Sequence, residues 1–317
     1  MKTYLGIDVG SISTNFVLID EKNNILSALY FRTEGDPIKA VQKGLRLLKK
    51  EIPENTEIAG VGTTGSARYL SGVITGADLI KNEITAHAKG ASFFVPDVRT
   101  VIEIGGQDSK IIILENGIAV DFAMNLICAA GTGSFLDAQA YRLKIPIEEF
   151  GKLALESKNP TNIGSRCTVF AESDMIHKQQ IGHETEDIIA GLCQGLVRNF
   201  LNNVAKGKKI LPPIVFQGGV SENLGMRKAF EKALKQKIII PEYNIVMGAF
   251  GVALLVKELN PSKTKFLGFD ISDKNIKCTS FVCKGCPNYC EVIEARIEEK
   301  VVARWGDRCG KWSNLNP

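Results

Sequence analysis

Apolar and polar positions change rhythm several times along the chain. Tyr4 to Asp20 (YLGIDVGSISTNFVLID) reads as a strand, a Gly-Ser turn and a second strand. Asn23-Asn24 makes a hairpin turn, and Ile25 to Thr33 returns as a third strand. After Asp36, a helix-capping type, Ile38, Val41, Leu45, Leu47 and Leu48 recur at helical spacing. Ile58 to Gly65 (IAGVGTTG) reads as a strand ending in a Gly/Thr turn, and Glu83 to Gly90 as a helix with small residues on one face. Ile214 to Val220 is a buried strand running into a Gly-Gly turn. The helix Gly225 to Lys235 and the small-residue helix Met247 to Ala253 follow. Strands alternating with helices predict an α/β protein.

Part of this pattern occurs twice. With Gly10 placed on Gly105, Ile7-Asp8-Val9-Gly10-Ser11 matches Ile102-Glu103-Ile104-Gly105-Gly106, and Phe16 to Asp20 matches Ile111 to Glu115. Both copies then reach a hairpin turn, Asn23-Asn24 and Asn116-Gly117. Each copy is an acidic residue at a strand end, a Gly-containing tight turn, and a strand back. One such hairpin is commonplace; a matched pair, each with an acid before glycine, predicts a phosphate clamp. Backbone N–H groups would donate to a phosphate chain and carboxylates would hold Mg²⁺ through water. The Gly218-Gly219 turn, followed by Ser221 and Asn223, suits an adenosine, because glycine lets backbone approach base and ribose.

Composition narrows the class. The 317 residues are 44% hydrophobic and 23% charged, enough for two domains and an appendage. A net charge of +4, with no Lys/Arg run, argues against nucleic acid. The start enters a strand without a signal-peptide pattern, and the apolar stretch Ile238 to Val256 is broken by Pro241, Glu242 and Asn244. The expectation is a soluble cytoplasmic protein with no membrane partner.

Eight cysteines then point to metal or redox chemistry before disulfides. Cys128 precedes a Gly-Thr-Gly turn (Gly131, Thr132, Gly133) that opens a helix, and Cys167 opens another. A thiolate there would meet the favourable end of the helix dipole; the alternative is a pair of small buried residues. Cys193, in IIAGLCQGLV, lies on an apolar helix face and reads as core. After Pro261 the pattern shifts: Phe266 to Ile271 reads as a strand, followed by Cys283-x2-Cys286-x3-Cys290 and, beyond a hairpin from Glu291 to Arg304, Cys309. Four thiols from two segments suit zinc or an iron–sulfur cluster, with Cys278 as a fifth thiol or a replacement ligand.

The order of hairpins, Gly-Gly turn and small-residue helices resembles the sugar kinase, heat-shock chaperone and actin superfamily. CAAGTGSFLD (128–137), IGGQDSK (104–110), CTVFAES (167–173) and FQGGVSEN (216–223) sharpen this. Together they resemble the ATP-dependent activator (archerase) of 2-hydroxyacyl-CoA dehydratases and the benzoyl-CoA reductase ATPase subunits, with a leaning to the branch that reduces double-cubane cluster proteins. The resemblance covers roughly residues 3 to 257. It implies an α/β, two-domain actin-like ATPase fold with a small Cys-rich appendage, divided as 1–95, 96–260 and 261–317. It also implies a homodimer sharing one [4Fe-4S] cluster through Cys128 and Cys167 of each subunit. ATP binding and hydrolysis to ADP would rotate the domains and drive a low-potential electron from a ferredoxin or flavodoxin donor to a downstream iron–sulfur enzyme.

The same resemblance assigns roles residue by residue. Gly10, Ser11, Ser13, Gly105 and Gly106 would bind phosphate, and Asp8 and Asp108 would hold Mg²⁺ and orient water with help from Gln107. Gly131, Thr132 and Gly133 would contact phosphate or ribose, and Gly218, Gly219 and Asn223 the adenosine. Glu172 would reach ribose or base, or stand as a helix-surface carboxylate. Many relatives carry Lys where this chain has Asn15; Lys110, its counterpart in the second hairpin, would substitute. Two other functions remain open from the residues: a small-molecule kinase with an Asp base, and a nucleotide sensor whose cysteines bind zinc.

Overall fold

The computed structural model describes residues 1–125 and 131–313, in two compact units: Met1–Gly90 with Gly248–Pro317, and Ala91–Met247. The first unit is built on a five-stranded sheet of β1 (Lys2–Val9), β2 (Ser13–Asp20), β3 (Ile25–Arg32), β4 (Glu57–Thr64) and β5 (Leu79–Ile80). Its order is β3-β2-β1-β4-β5, an antiparallel meander followed by two parallel strands. Helix α1 (Pro37–Glu51) starts where Asp36 accepts the Lys39 N–H at 3.0 Å, and it buries Val41, Leu45 and Leu48. With Leu5, Ile7, Phe16, Leu18 and Val61 these residues form the first core.

The second unit repeats the plan. Strands β6 (Thr100–Ile104), β7 (Ser109–Glu115), β8 (Ile118–Asn125), β9 (Ile214–Gln217) and β10 (Ile238–Ile239) lie in the order β10-β9-β6-β7-β8. Read from the far edge, that is the same meander and the same two parallel strands. Thus the duplication visible in the sequence as one hairpin extends to a whole sheet. The second core gathers Ile102, Ile111, Phe135, Phe150, Leu192, Phe200, Phe216 and Phe230. It is covered by α4 (Gly133–Leu143), α5 (Ile147–Glu156), α6 (Thr168–Gln180), α7 (Thr185–Asn203) and α8 (Leu224–Leu234).

The C-terminal stretch does not stand alone. Helix α9 (Met247–Leu259) lies on β1 of the first unit so closely that a Cβ on Gly6 would stand 1.9 Å from the Ala249 carbonyl oxygen. Beyond it, β11 (Ile276–Val282), β12 (Glu291–Ile297) and β13 (Lys300–Trp305) form an antiparallel sheet, with the expected hairpin between the last two. Ala295 and Ala303 of that sheet pack on Val73 of α2 (Arg68–Thr75). Phe266 to Ile271 is not the expected strand. Gly268 turns the chain at φ 81°, and Phe269–Asp273 is a 3₁₀ turn, so Phe266 and Phe269 stack edge-to-face 5.3 Å apart against the first core. Apolar side chains at i and i+3 share a face there, which a strand cannot arrange. Among the described residues, no helix is long and apolar enough to cross a membrane.

A backbone oxygen cannot move aside as a side-chain tip can. Gly6→Ala is therefore expected to lower stability by about 3 kcal/mol, read as a shift of the urea midpoint with the slope unchanged; a midpoint within error of the parent would show that α9 yields.

Candidate functional site

In the first unit, Asp8 ends β1 and is 8% exposed. Its carboxylate is seated by glycines: a Cβ on Gly65 would stand 2.5 Å from Oδ1, and one on Gly248 would stand 2.1 Å from Oδ2. The turn after it is closed by the Gly10 N–H donating to the Ser13 carbonyl at 2.9 Å. Thr33 braces that turn by donating its hydroxyl to the Gly10 carbonyl at 2.9 Å. Ser11 is exposed at the tip and Ser13 half-buried. Opposite Asp8 in the ladder stands Asn15, buried, with its Oδ1 unbonded.

The second unit makes the same turn. The Gly105 N–H donates to the Asp108 carbonyl at 3.0 Å, and Glu103 faces Lys110 across the ladder as Asp8 faces Asn15. Here the pair is ionic. Lys110 Nζ lies 2.7 Å from Glu103 Oε2 and 2.9 Å from Asp108 Oδ1, with only 2% of the lysine side chain exposed. The lysine expected to reach phosphate in place of the missing one at Asn15 is thus held between two carboxylates. Glu103, which the duplication matched to Asp8 as the acid before glycine, received no role of its own from the sequence, and its pairing with Lys110 was not foreseen.

Two further segments of this unit meet the hairpin. The N–H groups of Gly133 and Ser134, at the start of α4, donate to the Gly105 and Gly106 carbonyls, both at 2.9 Å. They fix the turn from behind, and Thr132 beside them is fully buried. Gly218, at φ 86°, presses on the same strand end: a Cβ there would stand 2.5 Å from the Ile104 oxygen and 2.7 Å from Glu103 Oε1. Gly219 and Gln107 are exposed. Asn223 caps α8, its Oδ1 accepting the Met226 N–H at 3.0 Å, while its Nδ2 is buried and unbonded. Glu172 on α6 pairs with Arg142 at 2.8 Å.

Cys128 lies outside the described residues. Cys167 is the N-cap of α6, half-exposed, with extended backbone and no capping hydrogen bond from its side chain. The loop before it is tethered: Asp174 accepts the Gly164 N–H at 2.7 Å, Arg198 donates to the Ile163 carbonyl at 2.8 Å, and Asn199 donates to the Ser165 carbonyl. Cys167 shares a pocket with Gly131, Phe135, Leu196 and Asn199. Next to it, Val169 and Phe170 are 66% and 68% exposed. Cys193 faces the second core, where burial pushes its thiol up to about 12, an inert structural role. The tail thiols Cys283, Cys286, Cys290 and Cys309 lie in the first unit, remote in sequence from these.

Removing one member of a buried ion pair leaves the other charge unmet. Lys110→Met is expected to cost about 3–5 kcal/mol in urea unfolding without nucleotide; a cost below about 1 kcal/mol would mean that Glu103 and Asp108 are solvated in place.

Comparison with known proteins agrees with this geometry. The chain is 38% identical over 259 residues to the (R)-2-hydroxyglutaryl-CoA dehydratase activating ATPase of Acidaminococcus fermentans, covering 79% of this chain and 95% of that one. The solved activator of 2-hydroxyisocaproyl-CoA dehydratase from Clostridium difficile, with bound ADPNP, superposes with a TM-score of 0.74 at 31% identity, covering 81% and 95% of the two chains. A glucokinase of the ROK family from Streptomyces griseus, at 14% identity and a TM-score of 0.51 over 81% of this chain and 99% of its own, shares the fold alone. The fold is therefore the two-domain actin-like one. Residues 5–256 match the family model, and on that match the chain belongs to the BadF/BadG/BcrA/BcrD ATPase family.

Proposed function

We propose that this protein couples ATP hydrolysis to the delivery of single electrons, as the activator of a 2-hydroxyacyl-CoA dehydratase or of a related iron–sulfur enzyme. One observation carries the reading: in a family whose relatives are dehydratase activators, Cys167 stands with an unbonded side chain at the N-terminus of α6, in the pocket that holds Gly131, three residues on from Cys128.

The residues present fit an iron–sulfur group. Cys167 is a half-exposed thiol whose loop is held by three side chains, and the amide end of α6 favours a negative ligand. Two cysteines per chain would complete four ligands in a homodimer, with Val169 and Phe170 meeting the second copy. When bound, such a cluster supplies a low-potential one-electron donor, loaded by a ferredoxin or flavodoxin. The ligand thiols call for a reducing, cytoplasmic setting, since oxidants would turn them into disulfides.

Toward ATP, each unit offers one glycine turn. In the turns that the Gly10 and Gly105 N–H groups close, Ser11 and Ser13 on one side and Gly106 on the other would offer the remaining donors to phosphate. Asp8 and Asp108 would hold Mg²⁺, and Gln107 would orient the attacking water. Lys110, by neutralising Glu103 and Asp108, keeps that end of the strand from repelling phosphate. Gly219 and Asn223, whose Nδ2 is unbonded, would meet the adenosine.

Purified anaerobically, the protein is expected to carry about four irons with matching acid-labile sulfide per dimer, lost in Cys128→Ala and Cys167→Ala. A parent protein free of iron and sulfide would sink the reading, as would ATP-dependent phosphorylation of a sugar or acid. Asp108→Asn is expected to slow ATP hydrolysis by about 100-fold or more in a steady-state phosphate-release assay, with iron content unchanged.

A further inference from the structure

The family match stops at residue 256, and the cysteines beyond it need their own account. Strand register brings them together. Val282 pairs with Glu291 and Ile293 with Trp305, so the end of β11, the start of β12 and the end of β13 lie at one end of the sheet. Cys283 follows β11, Cys286 and Cys290 lie in the loop to β12, and Cys309 lies in the loop after β13. Cys278 does not join them: it sits mid-strand against Ala295, packs with Val73 and Ala303, and burial raises its thiol.

We propose that Cys283, Cys286, Cys290 and Cys309 bind a single tetrahedral metal ion, Zn²⁺, that closes this end of the sheet. The Cys283 N–H donates to the Cys290 carbonyl at 2.8 Å, placing those two residues side by side at the base of the loop. Cys283 is 9% exposed, and its sulfur accepts two N–H donors, the Gly285 backbone and the Trp312 indole at 3.3 Å. Donors aimed at a sulfur are what a metal-bound thiolate uses.

The second loop is equally built. Asp307 accepts the Trp312 N–H at 3.0 Å, the Ser313 hydroxyl and the Cys309 thiol at 3.7 Å. Trp312 stacks edge-on against Phe281 at 5.0 Å, pinning the loop over Cys283. Among the described residues, no three His, Cys, Asp or Glu side chains converge as metal ligands. Cys286 and Cys309 are exposed on loops, so the ion would draw them in, as metal binding commonly completes the site that receives it.

This site does not depend on the ATPase reading, and its test uses a different metal. The 317-residue protein is expected to carry about one Zn²⁺ per chain, retained in Cys167→Ala and Cys278→Ser and lost in Cys286→Ser and Cys309→Ser. Replacing Zn²⁺ by Co²⁺ in the unmutated protein should produce the intense thiolate charge-transfer and tetrahedral d–d absorption of a Co²⁺–thiolate site, a readout that no variant's folding can blur. Trp312→Phe should weaken Co²⁺ about 10-fold with the spectrum retained. Iron with acid-labile sulfide that disappears in Cys286→Ser would overturn the zinc assignment. Absence of any metal, with all four thiols alkylated as fast as free cysteine and no Co²⁺ spectrum, would overturn the site.

Discussion

A buried carboxylate at the end of a central strand is the constraint from which both units are built. Asp8 and Glu103 occupy the same place in the two sheets, each followed by a glycine turn closed by one backbone hydrogen bond. Burying an acid costs heavily unless something meets it, and the two units meet it differently. In the second, Lys110 supplies the opposite charge; in the first, Asn15 stands opposite and glycines at 65 and 248 leave the carboxylate room. The two strand ends therefore differ: Lys110 neutralises Glu103 within the second unit, whereas Asn15 places no charge across the ladder from Asp8 in the first.

The glycines follow from that arrangement. Gly218 must press on Glu103 and on the Ile104 carbonyl, and only a residue without a Cβ at φ 86° can do so. Its role is then at least as much to wall the carboxylate as to approach an adenosine. The start of α4 is used similarly, since two of its N–H groups bond the hairpin carbonyls and so couple the segment after Cys128 to the turn at Gly105. A shift of that turn on meeting phosphate would be felt at Gly131, and from there in the pocket that holds Cys167.

Strand-and-turn logic in the sequence carried far. The first hairpin and the helix capped by Asp36 are legible because apolar spacing and a capping residue act locally, and the α4 start because the Gly-Thr-Gly turn marks it. The equivalence of the whole sheets was not: β4 and β9 share a topological place but no residue pattern beyond apolarity, and two-residue strands such as β5 and β10 leave no period to read. Phe266 to Ile271 misled because two aromatics near a strand-like run look the same in one dimension whether they alternate or share a face. The ion pairs of Lys110 were hidden for another reason. A basic residue after a phosphate-type turn reads as a ligand contact, and only the register shows two carboxylates within reach.

The helix that carries Cys167 shows how a site can be held without a core. Helix α6 buries only Ala171 and Met175, while Val169, Phe170 and Ile176 face outward at 66%, 68% and 37% exposure. A 13-residue helix is marginal by itself in water. What fixes it here is polar: Asp174, within the helix, holds Gly164, and Arg198 and Asn199 of α7 hold the carbonyls of the approach to Cys167. Such tethers set the position of the thiol and leave the apolar residues beside it unspent. Packing those side chains against another protein surface would add apolar burial of about 25 cal/mol per Å² next to Cys167, so association there and the environment of that thiol would be coupled through one short helix.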